Sequence, residues 1–180
     1  IKANWKLLVE NSVDDYHLVT THSTWLNYMR NSGVNVTPAK GDVSDQAGLV
    51  RLVSGQDAVI SSVRFLASDP AKLIAAAKES KVGRYLVVGG AGSLEVAPGV
   101  RLVTTPGFPA AYKAEAEAGG AFLDLLRAEK ELNWTFLSPS ALFVAGERTG
   151  KFRLGTDQLL TGSDGKSSIS FEDFAVALAD

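Results

Sequence analysis

Both histidines of this sequence, His17 and His22, stand five residues apart, with Asp14 three residues before the first. Imidazole is a common ligand of transition metals, so the two histidines are candidate metal ligands. Five residues is about 140° around a regular helix, so the two rings meet one metal only across a break or kink. Asp14 and His17 share a helix face, which suits a hydrogen-bonded pair equally well. Further along, small and polar residues recur as Gly41-Asp42-Val43, Ser61-Ser62-Val63, Gly89-Gly90-Ala91-Gly92-Ser93 and Ser138-Pro139-Ser140. Residues without bulk let a flat ligand lie against the backbone, although each group taken alone also reads as a turn. The candidate catalytic groups are the Ser93 hydroxyl and the Tyr112-Lys113 pair. A lysine four residues from a tyrosine shares its helix face and can lower the phenol pKa. Tyr112 and Lys113 are adjacent, about 100° apart on a helix, and the residue four on is Ala116. Tyr112 therefore also reads as a packing or substrate-pocket residue, and Ser93 as a loop residue.

The elements that must position these groups alternate in type. Trp5-Lys6-Leu7-Leu8-Val9 reads as a strand, followed by a helix from Asn11 or Ser12 to about Arg30, with Asp14 and Asp15 in its first turn. Residues 34–37 read as a strand, 45–53 as a short helix stopped by Gly55, and 57–62 as a buried strand. A helix opens at Asp69-Pro70, and Arg84-Tyr85-Leu86-Val87-Val88 is the next strand. A Pro-broken loop over 94–109 leads into a long helix from about Ala110 to Glu131, and Trp134-Thr135-Phe136-Leu137 is a strand. Short strand and turn signals fill 148–168, and a capping-box pattern from Ser170 to Asp173 opens a closing helix. Alternating strands and helices argue an α/β fold with a parallel sheet covered on both faces. In such sheets ligands bind beyond the carboxyl ends of the strands, where the four small-residue groups fall.

Composition narrows the function. Eighteen basic and twenty acidic side chains leave a net charge of -2, a poor match to a phosphate backbone, so no nucleic-acid partner is expected. With no cysteine, disulfide frameworks, thiolate metal sites, iron–sulfur clusters and cysteine nucleophiles are excluded for these 180 residues. No apolar run approaches a membrane span and no leader pattern opens the sequence, so no membrane partner and a cytoplasmic location are expected. The first 32 residues hold no glycine and the rest holds all 17, while five of the six asparagines fall within the first 35 positions. The expectation is one domain over 1–180, with a foreign segment over 1–32 joined to a core over 33–180.

That core resembles a known family. KGDVSDQAGLVRLVSGQDAVISSV, KVGRYLVVGGAGSLEVAPG, PAAYKAEAEAGGAFLDLLRAEKELNWTFLSPSALF, GERTGKFRLGTDQLL and GKSSISFEDFAVALAD are similar to the atypical short-chain dehydrogenase/reductases of the NmrA-like, NAD(P)H-binding group, often named NADH-flavin reductases. The resemblance implies a three-layer Rossmann-like fold with NADP or NAD as cofactor. It also implies that Asp42 and Val43 border the adenine, that Ser61, Ser62 and Val63 line the dinucleotide, that Gly89 and Gly90 face the nicotinamide side, and that Pro139 closes the nicotinamide pocket. Departures accompany it. The family's GxxGxxG turn does not occur before Gly33, its second and C-terminal strands are not found, and the Tyr-x-x-x-Lys pair of the larger superfamily is missing.

Residues 1–32 resemble a different family. Asn4-Trp5-Lys6-Leu7, Glu10-Asn11, Asp14, Tyr16-His17 and His22 are similar to the catalytic-domain signature of Rieske non-haem iron ring-hydroxylating oxygenases. The resemblance implies His17 and His22 as iron ligands. The carboxylate that completes the family's triad comes from a distant segment, however, and the Rieske cluster needs cysteines, so iron is not the expected cofactor. The segment is expected to replace the family's first βα unit, with Glu10, Asp14 and Asp15 near the place of the pyrophosphate turn. One like-charge pair about 4 Å apart costs about 4 kcal/mol at an effective dielectric of 20, so nucleotide binding is expected to be weak or lost. The leading expectation is a reductase-like protein passing hydride from NAD(P)H to a small carbonyl, quinone or flavin. The alternatives are a remodelled, non-catalytic fold and an iron protein built on His17 and His22. Self-association into a homo-oligomer through an open sheet edge is a further expectation.

Overall fold

A computed structural model of the chain describes residues 41–180. The expected strands and helix before residue 41, with His17, His22 and the acidic turn, lie outside the described residues. The chain packs as two compact units interleaved in sequence. The first holds, among the described residues, 41–59, Ala71–Tyr85 and Glu131–Asn133, and the second holds Ile60–Pro70, Leu86–Lys130 and Trp134–Asp180.

Helix α1 (Gln46–Val53) begins where sequence places it, because the Asp45 carboxylate accepts from the Gly48 N–H at 3.0 Å. Gly55, at φ +75, sits in the left-handed turn that follows. Helix α2 (Pro70–Glu79) carries proline at its first position and buries Leu73, Ile74, Ala76 and Ala77. Gln46 Nε2 donates to Glu79 Oε1 at 2.8 Å and Lys72 Nζ donates to the Ser44 carbonyl at 3.1 Å, joining the start of α1 to α2.

Strands β1 (Ala58–Ser61), β2 (Arg84–Val88) and β5 (Trp134–Leu137) form a sheet in the order β1-β2-β5. Tyr85 N donates to Asn133 O at 2.9 Å and Gly89 N to Leu137 O at 2.8 Å. Both partners advance by four residues in the same direction, so β2 and β5 are parallel. Tyr85, Leu86 and Val87 are all buried, the unbroken apolar run of a strand covered on both faces. The architecture is α/β with a parallel sheet, as the alternation of elements predicts.

In the second unit, helix α3 (Ala110–Ala128) buries Phe122, Leu123 and Leu126, and it ends three residues before the expected Glu131. The expected loop over 94–109 contains a small hairpin, β3 (Glu95–Ala97) with β4 (Val100–Arg101), turned by Gly99 at φ +73. Strands β6 (Leu142–Val144) and β7 (Ser168–Ser170) pair in parallel, Leu142 opposite Ser168 and Val144 opposite Ser170. The closing helix α4 (Phe171–Ala179) packs Phe171 and Phe174 on Phe143, with ring centroids 4.5 and 4.9 Å apart. Its capping box is only half used. Ser170 Oγ accepts from Asp173 N at 3.0 Å, while the Asp173 carboxylate turns away to Thr149 Oγ1 at 2.6 Å and Gly150 N at 2.8 Å. An extended loop competes for that carboxylate, which the local sequence pattern does not reveal.

Candidate active site

Within the second unit, the chain leaving β2 and the chain leaving β5 meet. Ser93, buried in a short 3-10 turn, donates its hydroxyl to the Gly90 carbonyl at 3.0 Å, and its oxygen lies 3.4 Å from Ser138 Oγ. With the Ser93 proton directed at Gly90, Ser138 is the donor to Ser93, and the two hydroxyls steady the Gly90 peptide. Pro139 is buried beside them.

The glycines of this turn differ in what they answer to. A Cβ on Gly89 would stand inside the Phe136 ring, and one on Gly92 would come within 2.7 Å of Ala116 Cβ on α3, so packing alone requires glycine at both. Gly90 is extended at φ -129, ψ 147, a conformation open to any residue. Its nearest neighbour to an added Cβ is Phe65 Cε2, at 3.9 Å. Nothing in the described fold demands a glycine there, and the bare face is free for a flat ligand.

Beneath the turn lies an aromatic layer. Phe65 is near-parallel to Phe136 (centroids 6.2 Å, 23°) and edge-on to Phe122 (6.0 Å, 88°). Phe65 is held by Glu115 on α3, whose carboxylate accepts from Phe65 N at 2.6 Å and Leu66 N at 3.1 Å. Gly119 on α3 lets the Phe65 ring approach, since a Cβ there would lie 2.8 Å from Phe65 Cε2. The Gly119-Gly120 pair inside a helix was the sequence signal of this close approach. The role of Glu115 had none.

Ser61 is buried at the end of β1, Ser62 is exposed and Val63 is half-buried in the chain leading to Phe65. Tyr112, 68% exposed, and Lys113 stand in the first turn of α3 with no described partner of catalytic type. Asp42 and Val43 belong to the first unit. Asp42 is exposed, and its Oδ1 accepts from both the backbone N and the hydroxyl of Ser44 at 2.7 Å, which holds its carboxyl below the usual range. Val43 is 2% exposed, a core side chain that offers a ligand only its backbone.

Beside β5, a cavity of about 210 Å³ is lined by Ser93, Ser138, Pro139 and the apolar side chains of Leu123, Phe136 and Phe174. Its outer wall is the chain over 152–160. The loop just before that wall is anchored on α4 through Asp173, and Glu172 Oε2 accepts from Gly146 N at 2.9 Å.

A family model described as NAD(P)H-binding matches residues 6–180. The chain belongs to that family. A curated relative, the uncharacterized protein YwnB of Bacillus subtilis, is 45% identical over 111 residues, or 60% of this chain; the match spans about half of YwnB, 52%. Three solved structures align over most of both chains. A Burkholderia pseudomallei protein provisionally named as exported is 38% identical, with 88% of this chain and 85% of that one covered and a TM-score of 0.75. A Bacteroides thetaiotaomicron protein provisionally named an epimerase is 35% identical, with 88% and 83% covered and a TM-score of 0.78. A Streptococcus pneumoniae protein provisionally named an NADH-flavin reductase is 33% identical, with 86% and 84% covered and a TM-score of 0.67. The family match takes in residues 6–32, and none of these four relatives is named as an oxygenase, so the iron reading of that segment gains no support. No helix among the described residues is long and apolar enough to cross a membrane.

Proposed function

We propose that this member of the NAD(P)H-binding family is a reductase-like protein that holds a reduced nicotinamide dinucleotide across the carboxyl ends of its strands. It would pass hydride to a small carbonyl, quinone or flavin. The observation that carries this reading is Gly90, a glycine that neither backbone conformation nor packing explains, fixed by Ser93, which together with Ser138 and the buried Pro139 lines a cavity. The residues present fit the nicotinamide half of the cofactor, because a flat ring needs a bare backbone face and apolar walls. When bound, a reduced nicotinamide supplies two electrons and a proton as hydride. The chain's part is to fix Gly90 through Ser93 and Ser138, to exclude water with Phe136, Leu123 and Pro139, and to present the acceptor in the adjoining cavity.

The same reading carries a cost in affinity, since Glu10, Asp14 and Asp15 fall at the place in the sequence where the family's glycine turn would offer N–H donors to the pyrophosphate. Weak nucleotide binding follows from it. Native mass spectrometry with NADPH, paired with NADPH oxidation in the presence of a quinone, tests the reading. A one-to-one adduct with quinone-dependent oxidation supports it, and a bare chain with no oxidation leaves a remodelled, non-catalytic fold. Iron bound in stoichiometric amount, lost in His17→Ala, would instead support the metal reading of residues 1–32.

A further inference from the structure

The chain over 152–160 walls the cavity beside β5, all of it but Leu159 lining the space. Phe152 to Thr156 make no backbone–backbone hydrogen bond among the described residues. The loop is braced from within, where Arg153 Nη2 donates to the Thr161 carbonyl at 2.6 Å and Thr156 Oγ1 to Gln158 Oε1 at 2.9 Å. Its hydrogen bonds to other elements, among the described residues, run to Glu95 and Arg127. Glu95 N in β3 donates to the Asp157 carbonyl at 2.8 Å, and Leu159 N donates to the Glu95 carbonyl at 2.9 Å. Arg127 Nη2 on α3 donates to Asp157 Oδ1 at 2.6 Å. Arg127 Nη1 lies 3.6 Å from Asp124 Oδ1 on the same helix, and the Asp124 carboxylate takes two further bonds from Arg101, at 3.0 and 2.6 Å. The chain enters the loop through Gly150, at φ +70 with its N–H bound by the buried Asp173. It leaves by a turn in which Gly162 N donates to the Lys166 carbonyl at 2.7 Å.

Both ends of this loop are fixed, while its span is held at one place by two backbone bonds and one ion pair. Local opening favours segments with few backbone hydrogen bonds and contacts that reach solvent, and the Arg127 and Asp157 side chains are 40% and 56% exposed. We infer that the loop over 152–160 is a lid on the cavity beside β5, and that Arg127 is the positioning residue that latches it shut. Opening breaks the Arg127–Asp157 pair and the two bonds to Glu95, and the loop swings out on Gly150 and Gly162 with Arg153 still tied to Thr161. A partly exposed pair is weak and is screened by salt, so the latch holds the lid loosely and ionic strength loosens it further. What the lid admits rests on the reductase reading, in which the acceptor enters this cavity. The latch itself stands on the contacts of Arg127, Asp157 and Glu95.

The chain has no cysteine, so Ala177→Cys puts a single thiol in the wall of this cavity, away from the lid's own contacts. Its alkylation by iodoacetamide, a neutral reagent, reads how often the lid is open. Amide exchange at Glu95 and Leu159 reads the latch, and exchange at Tyr85 and Gly89 reads the fold as a whole. Arg127→Met keeps the apolar stem and removes the charge. In the Ala177→Cys chain it is expected to quicken alkylation, and exchange at Glu95 and Leu159, about threefold, as loss of one partly exposed pair gives, with Tyr85 and Gly89 unchanged. Sodium chloride at about 1 M is expected to quicken both while Arg127 is present and neither in its absence. Faster exchange without faster alkylation would overturn the lid. No change in either, or an equal quickening at Tyr85 and Gly89, would overturn the latch. No nucleotide is present, so the reductase reading fails separately: a chain that shows the latch yet forms no NADPH adduct keeps the lid and loses the reductase.

Discussion

The Phe136 ring fills the space where a Cβ on Gly89 would stand, one residue before a glycine whose own side-chain space is open. Two neighbouring glycines at one strand end thus serve different ends. Gly89→Ala forces the aromatic layer to move and is expected to destabilise by about 1–3 kcal/mol. Gly90→Ala is expected to change stability by no more than about 0.5 kcal/mol while lowering NADPH affinity tenfold or more. Urea unfolding and nucleotide titration of the two variants separate these effects. If Gly90→Ala leaves nucleotide affinity intact, the bare face at Gly90 is not the nicotinamide surface.

Glu115 carries two backbone N–H groups across fifty residues of sequence. Glu115→Ala leaves Phe65 N and Leu66 N without their acceptor and is expected to cost about 1–3 kcal/mol. Glu115→Gln keeps one acceptor oxygen and is expected to recover part of that loss. Hydrogen exchange should report the change first at Phe65 and Leu66, and unchanged exchange there in Glu115→Ala would refute the clamp.

Phe122 is 1% exposed and touches both Phe65 and Phe136 edge-on. Truncation to alanine is expected to cost about 3–5 kcal/mol, the range for emptying a buried aromatic site. A loss below about 1 kcal/mol in denaturant melts would show that the layer refills by local collapse.

Asp173 gives the fold an acid limb. Its hydrogen bond from Thr149, then the backbone N–H bonds and Ser170, hold its carboxyl below the usual aspartate value despite burial. A carboxylate depressed in the folded state stabilises fully above its unfolded pKa of about 3.9, and that contribution is lost as pH falls through the folded value. Asp124, held down by the Arg101 guanidinium, and Asp42 have the same sign. Thermal melts between pH 6 and pH 3 should therefore show a falling Tm in the parent and a flatter profile in Asp173→Asn. Parallel profiles would mean that the carboxylate carries no pH-dependent stability.

Much of the fold is legible in the sequence because it is local. Asp45 with Gly55 delimits α1, Pro70 opens α2, and the apolar runs at Arg84–Val88 and Trp134–Leu137 are strands as read. Less local pairings are not legible. The hairpin around Gly99 joins two very short strands, and the β6–β7 pair joins residues 26 apart in sequence with no periodicity of their own. The half-used capping box at Ser170 fails as a local rule because Thr149 and Gly150 hold its carboxylate.

The sequence by itself determined the α/β class, the strand ends where small residues gather, and the absence of cysteine chemistry, since each depends on residue type and short-range spacing. Tertiary structure alone decided which of those small residues are free. Gly89 and Gly92 are consumed by Phe136 and Ala116, while Gly90 is left open, and nothing within a few residues of each distinguishes them. It also decided that the chain over 152–160 walls the cavity beside β5. Steric occupancy and cavity walls depend on distances across space, and those are set only when segments far apart in the chain pack together.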